Sequence, residues 1–160
     1  MLGAAMIAEH LKLLSSLLRE RRVLTLGVVV AGEPVLGLLP FALSADGSTF
    51  LVHASRLARH SRGLAAGGMA AVLLHHPDEP GVDPLQVPRL TLEVEVRALE
   101  KGSQAFAEGR ASYLSRFPEA EVTFTLADFE LYALKARAGR LVAGFGRVET
   151  VSLADLANAA

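Results

Sequence analysis

The residues of this chain that are best suited to chemistry lie in one short basic segment, residues 55–64. Its basic side chains are Arg56, Arg59, His60 and Arg62. If a helix begins at Ser55, the serine hydroxyl caps the free backbone amides of the first turn. Arg56, Arg59 and His60 then share one arc of about 100° on the helix surface. A capped helix N-terminus with a basic face predicts a site for a phosphate monoester, although a solvated amphipathic helix has the same pattern.

The other residue types that could carry chemistry form no catalytic or metal-binding pattern. His75 and His76 are adjacent in sequence, and adjacent residues of a strand point to opposite faces of a sheet. No third ligand lies near them at helical or strand spacing, so we predict no metal site. We interpret His53, which follows the apolar Val52, as a partnered histidine of the core or its rim. No serine–histidine–aspartate order and no pair of carboxylates indicates a catalytic group.

The composition predicts a single domain spanning residues 1–160. Hydrophobic residues make up 51% of the chain and charged residues 21%, which is typical of a globular protein. The 16 lysines and arginines nearly balance the 17 aspartates and glutamates, which argues against a nucleic-acid partner. The sequence has no cysteine, which excludes disulfides and thiolate-bound metals. We find no signal peptide, and Gly32-Glu33-Pro34 interrupts the longest apolar region, so we expect a cytoplasmic protein with no membrane partner.

Hydrophobic periodicity predicts a barrel of antiparallel strands with helices around it. The clearest strand covers residues 89–99, where apolar and polar residues alternate. The other predicted strands cover residues 23–30, 34–43, 49–54, 69–75, 131–138 and 141–148, the last two being joined at Gly139. Helices are predicted over residues 4–20, from Ser55 to about Gly67, over 104–117 and after the cap Ser152. Hairpins connect most of the strands, which predicts a mainly β (α+β) fold. We expect a six- to seven-stranded antiparallel barrel with its core in residues 22–150 and peripheral helices.

Four short blocks of the sequence occur together in one order. The first is Ser55-x4-His60-Ser61-Arg62-x-Leu64. The others are Arg89-Leu90-Thr91-Leu92, Tyr113-Leu114-x-Arg116-Phe117-Pro118-x-Ala120 with Asp128-Phe129-x-Leu131-Tyr132, and Gly144-Phe145-Gly146-Arg147. Together they resemble the pyridoxamine 5'-phosphate oxidase-like split β-barrel family, and within it the haem-utilisation branch. The resemblance covers roughly residues 10–150 and implies a split β-barrel.

The resemblance also implies a site for FMN, because the first block matches the segment that binds the FMN phosphate in this family. The residues implied around the phosphate are Ser55, Arg59, His60 and Arg62. Pro40 and Phe41 are then expected to face the isoalloxazine ring, and Arg89 to lie near its electron-rich edge. Split barrels of this family complete the pocket with a second chain, so we expect a homodimer with two equivalent flavin sites at the subunit interface.

We therefore predict an FMN-dependent oxidoreductase that acts on a small-molecule substrate of unknown identity. A haem-binding or haem-degrading protein is the first alternative, because the blocks match the haem-utilisation branch. A binding module without a cofactor is the second, because the chain departs from the family pattern at Gly63, Val94, Val148 and, on the second strand, at Gly37 or Leu38. In this branch the axial haem ligand can come from a C-terminal extension. No histidine follows His76, which ranks flavin above haem at this point.

Overall fold

The computed structural model describes residues 6–160, and its first element is a helix packed against a β-barrel. Helix α1 spans Ala8–Glu20. The leucines that it buries are Leu14, Leu17 and Leu18. The predicted start of this helix at residue 4 needs correction, because Ile7 has an extended backbone, with φ −66° and ψ 150°, and forms the N-cap. Residues 4 and 5 lie outside the described residues.

Seven antiparallel strands form the sheet of the described residues. They are β1 (Val23–Val30), β2 (Glu33–Leu43), β3 (Thr49–Ser55), β4 (Gly68–His75), β5 (Arg89–Ala98), β6 (Phe129–Gly144) and β7 (Arg147–Val151). The first six pair in the order β3-β2-β1-β4-β5-β6, and a further pairing of β3 with β6 closes them into a barrel. β7 extends the sheet beyond β6. The predicted mainly β fold, a six- to seven-stranded antiparallel barrel with peripheral helices, is confirmed.

Four further α-helices lie in the connections between strands and after β7. They are α2 (Arg59–Ala66), α3 (Gln104–Arg116), α4 (Glu121–Phe124) and α5 (Leu153–Ala159). The cap predicted for the last helix is present, since Ser152 and Asp155 form a capping box at its N-terminus. Among residues 6–160, no helix has both the length and the apolar character needed to cross a bilayer.

The glycine predicted to separate two strands lies inside one long strand. β6 continues through Gly139, so the predicted strands 131–138 and 141–148 are not joined there by a turn. The chain turns later, at Gly146, which has φ +73°. A Cβ at residue 139 would lie 2.7 Å from Leu92 Cδ2. A side chain at this position would crowd Leu92 and Val151, whose Cβ would lie 3.1 Å away, so glycine favours the close packing of β6 against its neighbours.

Strands β1, β2 and β4 expose a face that is unusually apolar. Alternate residues of each strand point into the barrel, and the others point outward. Five outward side chains are large, hydrophobic and between 43% and 73% exposed: Val23, Val29, Leu36, Leu38 and Met69. The strand pairing places Gly27 beside both Leu36 and Ala71, so these side chains share one surface. We call this surface the outer apolar face.

Candidate functional site

The basic segment of residues 55–64 does not form one helix. Ser55 is the last residue of β3, and α2 begins at Arg59 with Ala58 as its N-cap. The Ser55 hydroxyl donates a hydrogen bond to Asp128 Oδ2 over 2.5 Å and accepts one from the backbone N–H of Leu57 over 3.2 Å. The predicted role of Ser55 as a helix cap is therefore wrong, because its hydroxyl bonds to the backbone of the following turn and to the distant Asp128 carboxylate.

Of the other basic residues of this segment, Arg59 forms an ion pair, His60 is packed against β2 and Arg62 is exposed. Arg59 forms an ion pair with Glu33, with 3.0 Å between Nη2 and Oε2. His60 is half-buried, and its ring lies 2.7 Å from where a Cβ of Gly37 would stand. Burial lowers the pKa of His60. Arg62 is exposed. These contacts engage Arg59 and His60 within the protein, and phosphate binding by the segment stays a prediction.

The residues predicted to contact a planar ring also differ in their surroundings. Phe41 is fully buried beneath the Arg116 guanidinium, whose carbon lies 4.8 Å from the ring centroid. The Phe41 side chain therefore belongs to the core, and contact between the backbone of this strand and a flavin stays a prediction. Pro40 is exposed. Arg89 is half-buried and lies directly opposite His75 in the pairing of β4 with β5.

A groove of about 420 Å³ lies where α1 joins β1, at one end of the outer apolar face. Its apolar lining consists of Val23, Leu38, Leu73 and Pro77. Its polar lining consists of Glu20, Arg21, Arg22, Thr25 and His75. We call this the basic groove, because two arginines and a histidine stand against a single acidic residue. Its composition suits a flat apolar ligand that carries anionic groups.

Arg116 holds the chain segment that supplies the two arginines. Its guanidinium donates hydrogen bonds to the carbonyl oxygens of Leu18, at 3.2 Å, of Arg19, at 3.0 Å, and of Arg21. The carbonyls of a last helical turn have no partner within the helix. Arg116 of α3 therefore caps the C-terminal end of α1 and fixes Arg21 and Arg22 beside the groove.

The arginines of the basic groove, Arg21 and Arg22, are not among the site residues predicted from the sequence. A signal for them exists in the run Arg19-Glu20-Arg21-Arg22, which directly precedes the buried strand β1. His75 is the last residue of β4 and lines the groove, whereas His76 follows β4 and contacts Ser16 of α1. The groove joins residues of α1, β1, β2 and β4, which no local period connects.

Known proteins resemble this chain in sequence and in structure. No protein-family model matches the chain. The haem oxygenase HutZ of Vibrio cholerae serotype O1 is 29% identical over 140 residues, which cover 86% of this chain and 78% of HutZ. A haem-binding protein from Mycobacterium smegmatis has a similar structure, with a TM-score of 0.80 at 23% identity. That match covers 96% of this chain, which spans 62% of the length of the mycobacterial protein.

Two further solved structures share the fold. The structure of HutZ from Vibrio cholerae, described as a haem storage protein, has a TM-score of 0.70 at 24% identity. The match covers 83% of this chain and 92% of HutZ. The second is a Clostridium acetobutylicum protein of the pyridoxinephosphate oxidase family, related to general stress protein 26. It has a TM-score of 0.65 at 14% identity, and the match covers 94% of this chain and 99% of the clostridial chain. The chain thus shares its fold with a structure of the pyridoxinephosphate oxidase family and is similar in sequence to the haem oxygenase HutZ, which confirms the resemblance that its four sequence blocks indicated.

Proposed function

We propose that this chain binds haem and that the basic groove holds it. The observation that carries the proposal is the composition of the groove, which combines an apolar lining with Arg21, Arg22 and His75. Haem combines a flat apolar macrocycle with two carboxylates and an iron atom that needs an axial ligand. The similarity to HutZ supports haem over flavin, which reverses the order given by the sequence alone.

The residues of the groove fit the separate parts of haem. Val23, Leu38 and Leu73 offer apolar surface to the macrocycle, while the guanidinium groups of Arg21 and Arg22 offer charge-assisted hydrogen bonds to its carboxylates. Arg22 is largely exposed and already lies 3.3 Å from Glu119, an exposed pair that contributes little to stability. It can therefore exchange this partner for a ligand carboxylate at small cost. Bound haem supplies the iron centre for oxygen or electron-transfer chemistry.

The test is a titration of the purified protein with ferric haem, followed by absorption in the Soret region. We expect a saturable change with one haem per chain. Arg22→Gln is expected to weaken binding about tenfold, which corresponds to about 1.4 kcal/mol. The matched control is Arg137→Gln, since Arg137 is also an exposed arginine paired with a carboxylate, that of Glu95. No binding by the unaltered protein, or equal losses in the two variants, contradicts the proposal.

The same sample distinguishes storage of haem from its degradation, the two activities named for HutZ. Ascorbate is added to the loaded protein in air, and the Soret band is followed together with the release of iron. Loss of the band with release of iron indicates an oxygenase. A stable band indicates storage.

Flavin binding is the second candidate, because the chain shares the barrel of the pyridoxinephosphate oxidase family. The predicted FMN site is less well supported than the basic groove. A phosphate at Ser55 would meet the Asp128 carboxylate that already accepts the serine hydroxyl. Two like charges at this separation oppose each other. Titration with FMN and with riboflavin tests this candidate, since a site organised around the phosphate binds FMN far more tightly.

We further propose that the protein is a homodimer formed through the outer apolar face. Leu36 is 73% exposed and Leu38 69% exposed, a large apolar surface for a monomer. Val23 and Leu38 belong both to this face and to the basic groove. A second copy on this face would therefore cover the exposed leucines and add a wall to the groove.

Sedimentation at micromolar concentration tests the dimer. Leu36→Glu places a charge in the proposed interface and is expected to give a monomer. The control is Leu57→Glu, because Leu57 is 87% exposed but lies in the turn between β3 and α2 and on none of the strands that form this face. A monomeric mass for the unaltered protein, or for the Leu57 variant as well, contradicts the assignment.

A further inference from the structure

Four of the five histidines are engaged by other parts of the protein. His10 is buried, with its Nδ1 2.5 Å from Glu149 Oε1. His53 is buried in an aromatic cluster, and His60 packs against Gly37. His76 places its Nε2 2.8 Å from the Ser16 hydroxyl. Among the described residues, the remaining histidine is His75, which is exposed at the end of β4 and lines the basic groove.

The hydrogen bond made by His75 determines which of its ring nitrogens carries the proton. Its Nδ1 lies 2.6 Å from the backbone carbonyl oxygen of His76. A carbonyl oxygen only accepts hydrogen bonds, so Nδ1 must donate and therefore carries the proton. In the neutral ring, Nε2 then holds a free lone pair. This is the tautomer of a metal-binding histidine, in which the other nitrogen donates to a carbonyl or carboxylate.

The carbonyl that orients His75 is itself held in place. The backbone N–H of His76 donates to the carbonyl of Pro88 over 3.0 Å. The ring of His76 is held on the other side by Ser16 of α1. Both bonds act on His76, so the carbonyl that orients the His75 ring is anchored to Pro88, the residue before β5, and to α1.

We propose that Nε2 of His75 is the protein ligand to the iron of haem bound in the basic groove. The inference rests on the proposed haem-binding function and adds to it the identity of the ligand. The lone pair of Nε2 forms the bond to iron, and no proton has to leave, because Nδ1 retains its own. Arg21 and Arg22 line the same groove and would offer cationic partners to the carboxylates of a bound haem.

Separate substitution of the two adjacent histidines distinguishes His75 from His76 as the iron ligand. The unaltered protein, His75→Ala and His76→Ala are titrated with ferric haem, and ligation is read from absorption and electron paramagnetic resonance spectra. We expect His75→Ala to lose the histidine-ligated spectrum and to bind haem at least tenfold more weakly. Added imidazole should restore the spectrum. His76→Ala keeps its backbone carbonyl and should keep histidine ligation.

The outcomes of this experiment test the ligand and the function separately. A histidine-ligated spectrum that persists in His75→Ala overturns the assignment of the ligand while haem binding stands. No haem binding by the unaltered protein overturns both. A measurement without haem adds an independent test: ¹⁵N NMR of the ring should show the proton of His75 on Nδ1. A proton on Nε2 contradicts the proposed orientation.

Discussion

Replacing His53 should make the stability of the protein less sensitive to mild acid. This side chain is only 7% exposed, and its ring stacks on Phe124 with 3.8 Å between the centroids and 9° between the planes. Its Nδ1 lies 3.2 Å from the Thr123 hydroxyl oxygen. Burial, with a smaller contribution from the charge of Lys101, lowers the pKa of His53 from 6.5 to about 4.

The sign of the effect follows from comparing proton uptake in the two states. Between pH 6.5 and about 4, the unfolded chain has a protonated His53 while the folded protein keeps this ring neutral. The unfolded state therefore binds more protons in this window, and the stability falls as the pH falls through it. With 1.36 kcal/mol per pKa unit, the loss due to this residue is about 2 kcal/mol by pH 5 and approaches about 3 kcal/mol below pH 4.

The assay is urea unfolding at pH 7.5 and at pH 5.0 for the unaltered protein, His53→Phe and His53→Leu. Phenylalanine keeps the aromatic stack and leucine removes it, but neither titrates. Both variants should lose about 2 kcal/mol less than the unaltered protein between the two pH values, whatever their stability at pH 7.5. An equal loss in all three proteins would refute the reasoning, because the other titrating groups are common to them.

Substitutions at three further positions test the packing and the helix caps of the fold. Arg116→Ala removes the cap of α1 and should lower the free energy of unfolding in urea by about 2–3 kcal/mol; a loss below 1 kcal/mol would contradict the role given to this residue. Gly63→Ala places a Cβ 2.6 Å from Val28 Cβ and should cost about 1–3 kcal/mol through overpacking, seen as a lower Tm. Ser152→Ala removes the capping box with Asp155 and should cost about 1 kcal/mol in urea unfolding, whereas Ser152→Gly should cost only a few tenths.

The sequence alone determined most of the strands, and for β5 also the inward face, because this information is local. In β5 the predicted alternation is confirmed, since Leu90 and Leu92 are buried while Thr91 and Glu93 are exposed. Side chains of a strand alternate between faces with a period of two residues, so the pattern depends only on near neighbours. The same locality explains why the cap at Ser152 was predictable.

Only the tertiary structure decided which residues meet at the candidate site. The hydroxyl of Ser55 bonds to Asp128, 73 residues away, and this contact replaces the helix cap that the local pattern predicted. Arg116 reaches carbonyls at the end of α1 across more than 90 positions, and the basic groove joins Arg21 to His75. Hydrophobic periodicity carries no information on such distant pairs, because they depend on which strands lie side by side when the barrel closes.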